Sequence, residues 1–225
     1  MALRFTLPPW EDALLSKIKP HGKYPRAVRL AGEYLKAEAS LRAHRVRRTV
    51  LVMGSTRTAP RDPYCAMARQ FGRLVALDAR AALMTGGGPG IMQAANRGAF
   101  EAGGVSIGLN IQLPHVQSPN RYCTLRLSFR YFALRKLHFL LRARAMVAFP
   151  GGFGTFDELF ETLTLVQTRK IPPLPVVLVG ERYWRRAVDF EFLAARGMIA
   201  RRDLRLFRYA ESAEEIWRAV AGALR

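Results

Sequence analysis

Three apolar stretches of the sequence each run directly into glycine. They read TVLVMGS at 49–55, AALMTGGGPG at 81–90 and AMVAFPGG at 145–152. Their apolar residues are continuous rather than alternating, which is typical of parallel strands covered by helices on both faces. Segments with helical periodicity, such as 62–79 and 155–170, lie between such stretches. This alternation predicts an α/β fold: a single doubly wound domain with a mostly parallel sheet and helices on both faces.

The rest of the chain continues the alternation of helices and strands. Further helices are predicted at 26–45, 91–104, 130–143, 181–197 and 211–224, and further strands at 105–111, 124–129 and 174–180. Residues 1–23 contain three prolines and no long periodicity, so we expect an N-terminal arm there. No linker, repeat or charge block divides the remainder, so the α/β domain is expected to span 24–225.

The chain is strongly basic, with a formal net charge of +19 and arginine as its main basic residue. Such a charge attracts phosphate groups, including those of nucleic acids. One short basic cluster, HRVRR at 44–48, stands out, and no aromatic residues are interleaved with it. A small anionic ligand is therefore the favoured partner, and single-stranded nucleic acid is the less favoured alternative.

The cysteines, the apolar runs and the N-terminus indicate whether to expect a metal site, a membrane span or a signal peptide. Cys65 and Cys123 form no CxxC pattern and have no histidine pair nearby, which argues against a zinc site or a disulfide framework. No metal is therefore predicted, and a reducing, cytoplasmic location is expected. No apolar run approaches the roughly 20 residues of a membrane span, so no membrane partner is expected. The N-terminus, MALRFTLPPWEDALL, lacks the basic start and long apolar core of a signal peptide.

The glycine-bearing loops that follow three of the strands predict a phosphate site. Parallel strands place these loops at the same edge of the sheet, where glycine lets backbone N–H groups approach a phosphate closely. Helix starts behind the second and third loops add a favourable dipole. The alternative is that the glycines only form tight turns. The candidate phosphate- or nucleotide-binding residues are Gly54, Ser55, Gly86, Gly87, Gly88, Gly90, Met92, Pro150, Gly151, Gly152, Gly154 and Thr155.

These loops do not match the common nucleotide-binding templates. GGGPGIM lacks the lysine of the P-loop, and its glycine spacing differs from the dinucleotide fingerprint GxGxxG. A monophosphate held by backbone amides and the Thr155 hydroxyl therefore fits better than ATP or NAD.

Two adjacent acids lie at the start of the helix that follows the third loop. Thr155 and Glu158 have the spacing of a capping box, which is the alternative to a chemical role. Asp157 and Glu158 diverge by about 100° on a helix, so they cannot flank one bond, and we expect one working carboxylate. Arg135 and Lys136 lie in an otherwise apolar helix, and at least one is expected to point toward the strand ends.

Together these motifs resemble the LOG ("Lonely Guy") family of nucleoside 5′-monophosphate phosphoribohydrolases, many of which carry the label possible lysine decarboxylase. The resemblance rests on GGGPGIMQAANRGAFEAGG, the RK pair and PGGFGTFDELFE, and it extends over about 50–197. It implies a Rossmann-like fold and a homodimer or larger homo-oligomer. It also implies hydrolysis of the N-glycosidic bond of a purine nucleoside 5′-monophosphate, AMP or cytokinin-type, giving free base and ribose 5-phosphate. No cofactor is predicted.

On this resemblance, the family's catalytic glutamate falls on Glu158 and its catalytic arginine on Arg135. Lys136 and Asp157 are further candidates for the site. The sequence departs from the best-known cytokinin-activating members, which usually carry a second glutamate where this chain has Asp157. The phosphoribose end of the site is therefore predicted more sharply than the base that it takes.

Besides single-stranded nucleic-acid binding, a carrier function is the alternative to the hydrolase, and lysine decarboxylation is a weaker one. A carrier of a phosphorylated nucleotide-like ligand, such as the molybdenum cofactor, could use the same glycine loops without chemistry. Lysine decarboxylation would need a Schiff-base lysine and a place for pyridoxal phosphate. Lys136 and Lys170 lie in no recognisable cofactor motif, which disfavours that reaction.

Overall fold

The computed structural model describes residues 25–78, 80–113 and 119–224. The predicted arm at 1–23 and the centre of the predicted loop at 112–122 lie outside these residues. Within the described ranges, no helix is long and apolar enough to cross a membrane. The same ranges contain no cluster of histidine, cysteine and acidic side chains that could hold a metal ion.

The described residues contain a seven-stranded sheet in which every neighbouring pair of strands is parallel. The strands are β1 (Thr49–Met53), β2 (Ala82–Thr85), β3 (Ser106–Ile111), β4 (Leu125–Phe129), β5 (Ala143–Ala148), β6 (Val176–Val179) and β7 (Phe207–Ala210). Their order across the sheet is β4-β3-β2-β1-β5-β6-β7. The predicted α/β class is therefore confirmed. Continuous apolar runs such as β1 are buried along their whole length because helices cover both faces.

Helices pack against the two faces of the sheet and form a separate apolar core on each. The helices are α1 (Pro25–Ala43), α2 (Pro63–Asp78), α3 (Ile91–Glu101), α4 (Phe132–Leu140), α5 (Phe153–Gln167), α6 (Glu181–Ala187), α7 (Phe190–Ala195) and α8 (Ala213–Val220). Helices α2, α3 and α8 share one core, and α1, α4, α5, α6 and α7 share the other. Alternate residues of each central strand enter opposite cores, as Val50 and Leu51 do.

One predicted element near the C-terminus was wrong in detail, and two further elements there were not predicted. The helix expected at 181–197 is two helices, because the side chain of Asp189 accepts a hydrogen bond from the backbone N–H of Phe192 and starts α7. A 3₁₀ turn at Arg201–Arg205 and the edge strand β7 were not predicted. Strand β7 is only half-buried, so its arginine and tyrosine residues do not form the continuous apolar run that marks the central strands.

The order of the strands places a crevice between β1 and β5. The chain moves outward from β1 through β2 and β3 to β4, then returns to lay β5 on the other side of β1. Neighbouring loops at such a reversal diverge, and ligands of doubly wound folds bind there, beyond the carboxyl ends of the strands. Met53 pairs with Ala148 at these ends, and the N–H of Ser55 then donates to the carbonyl of Pro150 at 3.0 Å.

Candidate functional site

A cleft of about 830 Å³ lies at the carboxyl ends of β1, β2, β3 and β5. Its volume is typical of a site for one small molecule. Most of the residues singled out in the sequence line it, and these are Gly54, Ser55, Gly86, Met92, Arg135, Gly151, Gly152, Gly154, Thr155, Asp157 and Glu158. Others do not line it, and these are Gly87, Gly88, Gly90, Pro150 and Lys136.

Two of the glycines outside the cleft shape its wall. Gly90 has a φ of 65°, and a Cβ on it would overlap the carbonyl oxygen of Ser55. The same carbonyl accepts a hydrogen bond from the N–H of Ile91, the first residue of α3, at 3.1 Å. Gly87 has a φ of 71° and is packed against the side chain of Asn110. These two positions need glycine for backbone geometry, whether or not the loop touches a ligand.

The start of α5 forms an open N-terminus at the cleft. The helix begins at Phe153 with Gly152 as its N-cap, and no side chain of the described part of the chain caps it. Because the first intrahelical N–H bond is that of Thr155, the preceding N–H groups have no partner within the helix. The capping-box alternative for Thr155 and Glu158 is therefore wrong, since both residues already lie inside the helix. Glycines at 152 and 154 carry no side chain that could have signalled this earlier start.

Glu158 is a buried carboxylate at the cleft. The residue is 4% exposed, and its Oε2 has no hydrogen-bond partner within the described residues. Burial raises the pKa of Glu158 to about 7, while the positive charges of Arg135 and Lys136 act against that rise. Leaving such an acceptor unpaired typically costs about 1–3 kcal/mol. A ligand that donates a hydrogen bond to Oε2 would recover this cost.

Arg135 is held at the strand ends beside Glu158. Its Nε donates to the carbonyl of Leu109 at 2.7 Å, and its Nη2 donates to the carbonyl of Gly86 at 3.4 Å. Its guanidinium also lies over the ring of Phe139, 4.9 Å from the centroid. Burial lowers the pKa of Arg135, and the charge of Glu158 opposes that change. The helix thus delivers one cation to the cleft in a fixed position.

Lys136 and Asp157, the other members of the two adjacent pairs, meet outside this buried region. The Nζ of Lys136 lies 2.9 Å from Oδ1 of Asp157 and 3.1 Å from Oε2 of Glu161. These hydrogen bonds and charges raise the pKa of Lys136 in spite of partial burial. Asp157 reaches the rim of the cleft, but its side chain is 52% exposed. This second acid is thus paired with a lysine.

Several residues of the cleft were missed in the sequence. Tyr183 of α6 donates its hydroxyl to the carbonyl of Gly151 at 2.5 Å, which holds the third glycine loop, and no local motif signals it. Arg57 lines the cleft two residues after Ser55. Asn110 is the polar residue near the end of the apolar run VSIGLNI, and that interruption was an available signal. Its Nδ2 donates to the carbonyl of Gly87 at 3.3 Å, whereas its buried Oδ1 has no partner within the described residues.

The cleft has two chemically different halves. The half beyond β1 and β5 is built from glycine backbone, hydroxyl groups and the open start of α5. The half beyond β2 and β3 has an apolar wall, formed by Met92, Ile111, Leu113 and Phe132. The first half suits an anion and the second suits a flat apolar group. Arg135 and Glu158 both line this cleft.

Comparison with known proteins gives a family match and a set of similar structures. The family model described as "Possible lysine decarboxylase" matches residues 92–220, a span that includes Arg135 and Glu158. No curated protein matches the chain significantly. The molybdenum cofactor binding protein from the phototrophic bacterium Rippkaea orientalis is similar in fold, with a TM-score of 0.61 and 22% identity over 80% of this chain and 98% of that chain.

A second similar structure is the molybdenum cofactor carrier protein MCP from Chlamydomonas reinhardtii. Its TM-score is 0.59, and its identity is 26% over 79% of this chain and 98% of that chain. Both comparisons cover nearly the whole of the other protein, so the likeness concerns the complete α/β fold.

Proposed function

The chain belongs to the family described as possible lysine decarboxylase, the LOG family, and we propose that it hydrolyses the N-glycosidic bond of a purine nucleoside 5′-monophosphate. The substrate is AMP or a cytokinin-type nucleotide, and the products are the free base and ribose 5-phosphate. The observation that carries this proposal is the buried carboxylate of Glu158, whose Oε2 has no partner among the described residues, in a cleft that also has an open helix start and a fixed arginine.

The phosphate of the substrate binds in the glycine half of the cleft. Backbone N–H groups at the start of α5 and the hydroxyls of Ser55 and Thr155 donate to its oxygens, and the helix dipole favours its negative charge. This grip fixes the ribose relative to Glu158. Binding energy from the phosphate is thereby used to orient the reacting bond.

Glu158 and Arg135 act on the glycosidic bond itself. As the bond between C1′ and the base nitrogen breaks, positive charge develops on the ribose, and the ionised carboxylate of Glu158 stabilises it. Glu158 also accepts the proton that the attacking water loses as its oxygen bonds to C1′. A carboxyl group with a pKa of about 7 is well matched to hold that proton near neutral pH. Arg135 stabilises the electron pair that the departing base carries until the base takes a proton from solvent water, and Glu158 afterwards releases its own proton to solvent.

The family's decarboxylase label does not fit the side chains of this cleft. Decarboxylation through pyridoxal phosphate needs a lysine that forms a Schiff base. Among the described residues no lysine lines the cleft, because Lys136 is paired with Asp157 and Glu161 outside it. Lys170 is exposed, beyond the far end of α5.

Product analysis tests the proposal directly. The purified protein is incubated with AMP, other nucleoside monophosphates and isopentenyladenosine monophosphate, and free base and ribose 5-phosphate are separated by chromatography. We expect equal amounts of both products from at least one substrate. Glu158→Gln should abolish the release, whereas Asp157→Asn, which changes the adjacent acid, should retain it. Equal loss in both variants would assign the effect to the helix rather than to Glu158.

A second candidate function is supported by the likeness to the molybdenum cofactor carrier protein at 26% identity. In that case the same cleft would hold a phosphorylated pterin-type ligand without breaking a bond. A carrier has no use for an unpaired carboxylate beside an anionic ligand, which is why we favour hydrolysis. Retention of molybdenum cofactor by the protein, together with no base release from any nucleotide, would reverse this order.

We also propose that the protein is a cytoplasmic homo-oligomer. Phe153, at the start of α5, is 95% exposed, and Leu137 on α4 and Leu141 directly after it are more than 40% exposed. A second copy of the chain that covers these residues would remove an apolar surface from water. Analytical ultracentrifugation should show a dimer or larger species, and Phe153→Asp should weaken it.

A further inference from the structure

We infer that Glu33 of α1 is a positioning residue for the cleft, because its carboxylate holds the start of α4 and thereby fixes the guanidinium of Arg135. Glu33 does not line the cleft, and it belongs to none of the glycine, arginine and glutamate motifs. Its role in the reaction rests on the proposed function, since it acts through Arg135. The arrangement of the bonds is the same whichever ligand the cleft takes.

Both carboxylate oxygens of Glu33 accept hydrogen bonds from the connection between β4 and α4. Oε2 accepts from the backbone N–H of Arg130 at 2.9 Å, and Oε1 accepts from the N–H of Tyr131 at 3.1 Å. Arg130 and Tyr131 are the two residues that make up this connection. One side chain therefore satisfies both of its backbone donors, and the negative charge of that side chain lies at the positive end of α4.

Tyr131 passes this constraint to Arg135 through the first turn of α4. It is the N-cap of the helix, and its carbonyl accepts a hydrogen bond from the backbone N–H of Arg135 at 3.2 Å. Two backbone bonds of one residue thus connect Glu33 to Arg135. Phe132, whose side chain lines the apolar half of the cleft, lies in the same turn.

The position of the guanidinium depends on where the backbone of α4 lies. Nε of Arg135 donates to the carbonyl of Leu109 at 2.7 Å, whereas Nη2 donates to the carbonyl of Gly86 at 3.4 Å, near the upper limit for a hydrogen bond. A small displacement of the helix would therefore break the bond to Gly86 first. Arg135 would then be less firmly fixed beside Glu158, and its charge would act on that carboxylate less strongly.

The start of α4 has little packing of its own. The buried residues of the helix all lie in its last turn, and these are His138, Phe139 and Leu140. Phe132 is 52% exposed, and β4, which precedes the helix, is an edge strand of the sheet. This end is therefore held by hydrogen bonds rather than by buried side chains. They include the bonds to Glu33 and one from Nε of Arg29 to the hydroxyl of Tyr131 at 3.4 Å.

Glu38 provides a matched control, because it lies in the same helix α1 and bonds beyond the opposite end of α4. Its Oε1 accepts a hydrogen bond at 2.6 Å from Nη2 of Arg142, which lies between α4 and β5. Removal of either carboxylate loosens α1 from the rest of the protein. Only Glu33 bonds to the end of α4 that leads to Arg135. A general loss of stability should thus appear in both variants, and an effect on the cleft in one.

The test measures the pKa of Glu158, because the positive charge of Arg135 holds that pKa down. ¹³C NMR of the glutamate carboxyl groups reports it without turnover, and the spectrum of Glu158→Gln identifies the signal. We expect the pKa of Glu158 to rise by about 0.5 or more in Glu33→Ala, and by about 1–3 in Arg135→Met. In Glu38→Ala it should stay at the wild-type value.

A double variant separates the route through Arg135 from other charges near Glu158. Lys136 on α4 also lowers the pKa of Glu158, and Asp157 and Glu161 on α5 raise it. In Glu33→Ala/Arg135→Met we expect the pKa to differ from that of Arg135→Met by less than about 0.2, because the two single effects share one path. A further rise as large as that of Glu33→Ala alone would assign the effect to Lys136 or to the whole helix, and would overturn the inference.

Turnover gives a second readout that distinguishes this inference from the proposed function. We expect Glu33→Ala to lower kcat/KM about tenfold and to move its acidic limb to higher pH, and Glu38→Ala to stay within about threefold of wild type. Glu33→Gln keeps an oxygen for one of the two N–H groups, so its effects should be intermediate. It replaces Glu33→Ala if circular dichroism shows that Glu33→Ala does not fold.

The outcomes for the two proposals are separable. Absence of base release from the wild-type protein would count against hydrolysis, and the NMR comparison would still decide the role of Glu33. Base release together with an unchanged pKa of Glu158 in Glu33→Ala overturns the inference while the hydrolase stands. Equal rises of that pKa in Glu33→Ala and Glu38→Ala also overturn it.

Discussion

The charged residues Arg135 and Glu158 lie in a different environment from their sequence neighbours Lys136 and Asp157. Glu158 is buried and Arg135 is partly buried, and both line the cleft, where Oε2 of Glu158 has no hydrogen-bond partner within the described residues. Their sequence neighbours, Lys136 and Asp157, form a partly exposed ion pair 2.9 Å apart. A step of one residue on a helix turns a side chain by about 100°, which is enough to separate the two environments.

The exposed ion pair and the two residues in the cleft contribute differently to stability. An ion pair with one exposed partner contributes at most about 1 kcal/mol to the free energy of unfolding. Burial of Glu158 lowers stability, because its carboxylate is desolvated and its Oε2 has no hydrogen-bond partner within the described residues. Glu158 can instead contribute to ligand binding, because a ligand that donates a hydrogen bond to Oε2 would recover this cost. The matched neighbours therefore provide an internal control for every substitution in the cleft.

Replacing the buried acid should have the largest effect. We expect Glu158→Gln to lower kcat by about 10²-fold or more, because the amide cannot take a proton or stabilise positive charge on the ribose. Asp157→Asn should stay within about threefold of wild type. Single-turnover kinetics with the best substrate measure both variants, and similar losses in the two would erase the distinction between the neighbours.

The same substitution should increase stability at alkaline pH. The pKa of Glu158 is raised from 4.5 to about 7 in the folded state, so folding favours the protonated form. That contribution is present below pH 4.5 and is lost as the pH rises through 7. Urea unfolding of wild type and Glu158→Gln should therefore agree most closely near pH 5 and diverge by pH 8.5, with the variant more stable by up to about 3 kcal/mol.

A constant difference between wild type and Glu158→Gln across this range would contradict the raised pKa. Circular dichroism at each pH shows whether both proteins begin from the same fold.

The pH dependence of turnover should follow the ionisation of Glu158 and the effect of Arg135 on its pKa. If ionised Glu158 is the active form, kcat/KM falls about tenfold per unit as the pH drops below 7. Arg135 holds the pKa of Glu158 down, so Arg135→Met should move this limb to higher pH. The pH dependence of kcat/KM is measured for Asp157→Asn as well, as the control. Because ionisation of the substrate phosphate is the same for all variants, a limb that stays fixed in Arg135→Met would belong to the substrate.

Breaking the exposed pair should have the smallest effect. Lys136→Met removes the partner of Asp157 and Glu161. We expect the free energy of unfolding to fall by about 1 kcal/mol or less, and kcat/KM to change by less than about fivefold. Urea unfolding and steady-state kinetics measure the two quantities. A loss of turnover comparable to that of Glu158→Gln would mean that Lys136 acts in the reaction.

The sequence best predicted those features that depend only on residues close together in the chain. Continuous apolar runs identified the central strands, and glycines at strand ends located the cleft. Strand β7 was missed because an edge strand needs only half of its residues to be apolar. The start of α5 was misjudged because its N-cap, Gly152, has no side chain to mark it.

The residues of the candidate site also differ in whether local sequence could identify them. Glu158 and Arg135 were found because they lie in a dense motif, whereas Tyr183 contacts Gly151 from a helix about 30 residues away in sequence. Such a contact exists only in the folded chain. Asn110 had a visible signal, one polar residue near the end of an apolar strand, but its unpaired oxygen could not be read from the sequence.

The backbone bonds that join the loops at the cleft have a consequence for how the protein could diversify. Ser55 is bonded through its N–H to Pro150 and through its carbonyl to Ile91, so three loops are fastened together without any side chain. The far wall, in contrast, is made of exchangeable side chains such as Met92, Ile111 and Asn110. Point mutations in the far wall would therefore change the shape and polarity of one half of the cleft while the backbone bonds between the loops of the other half are kept.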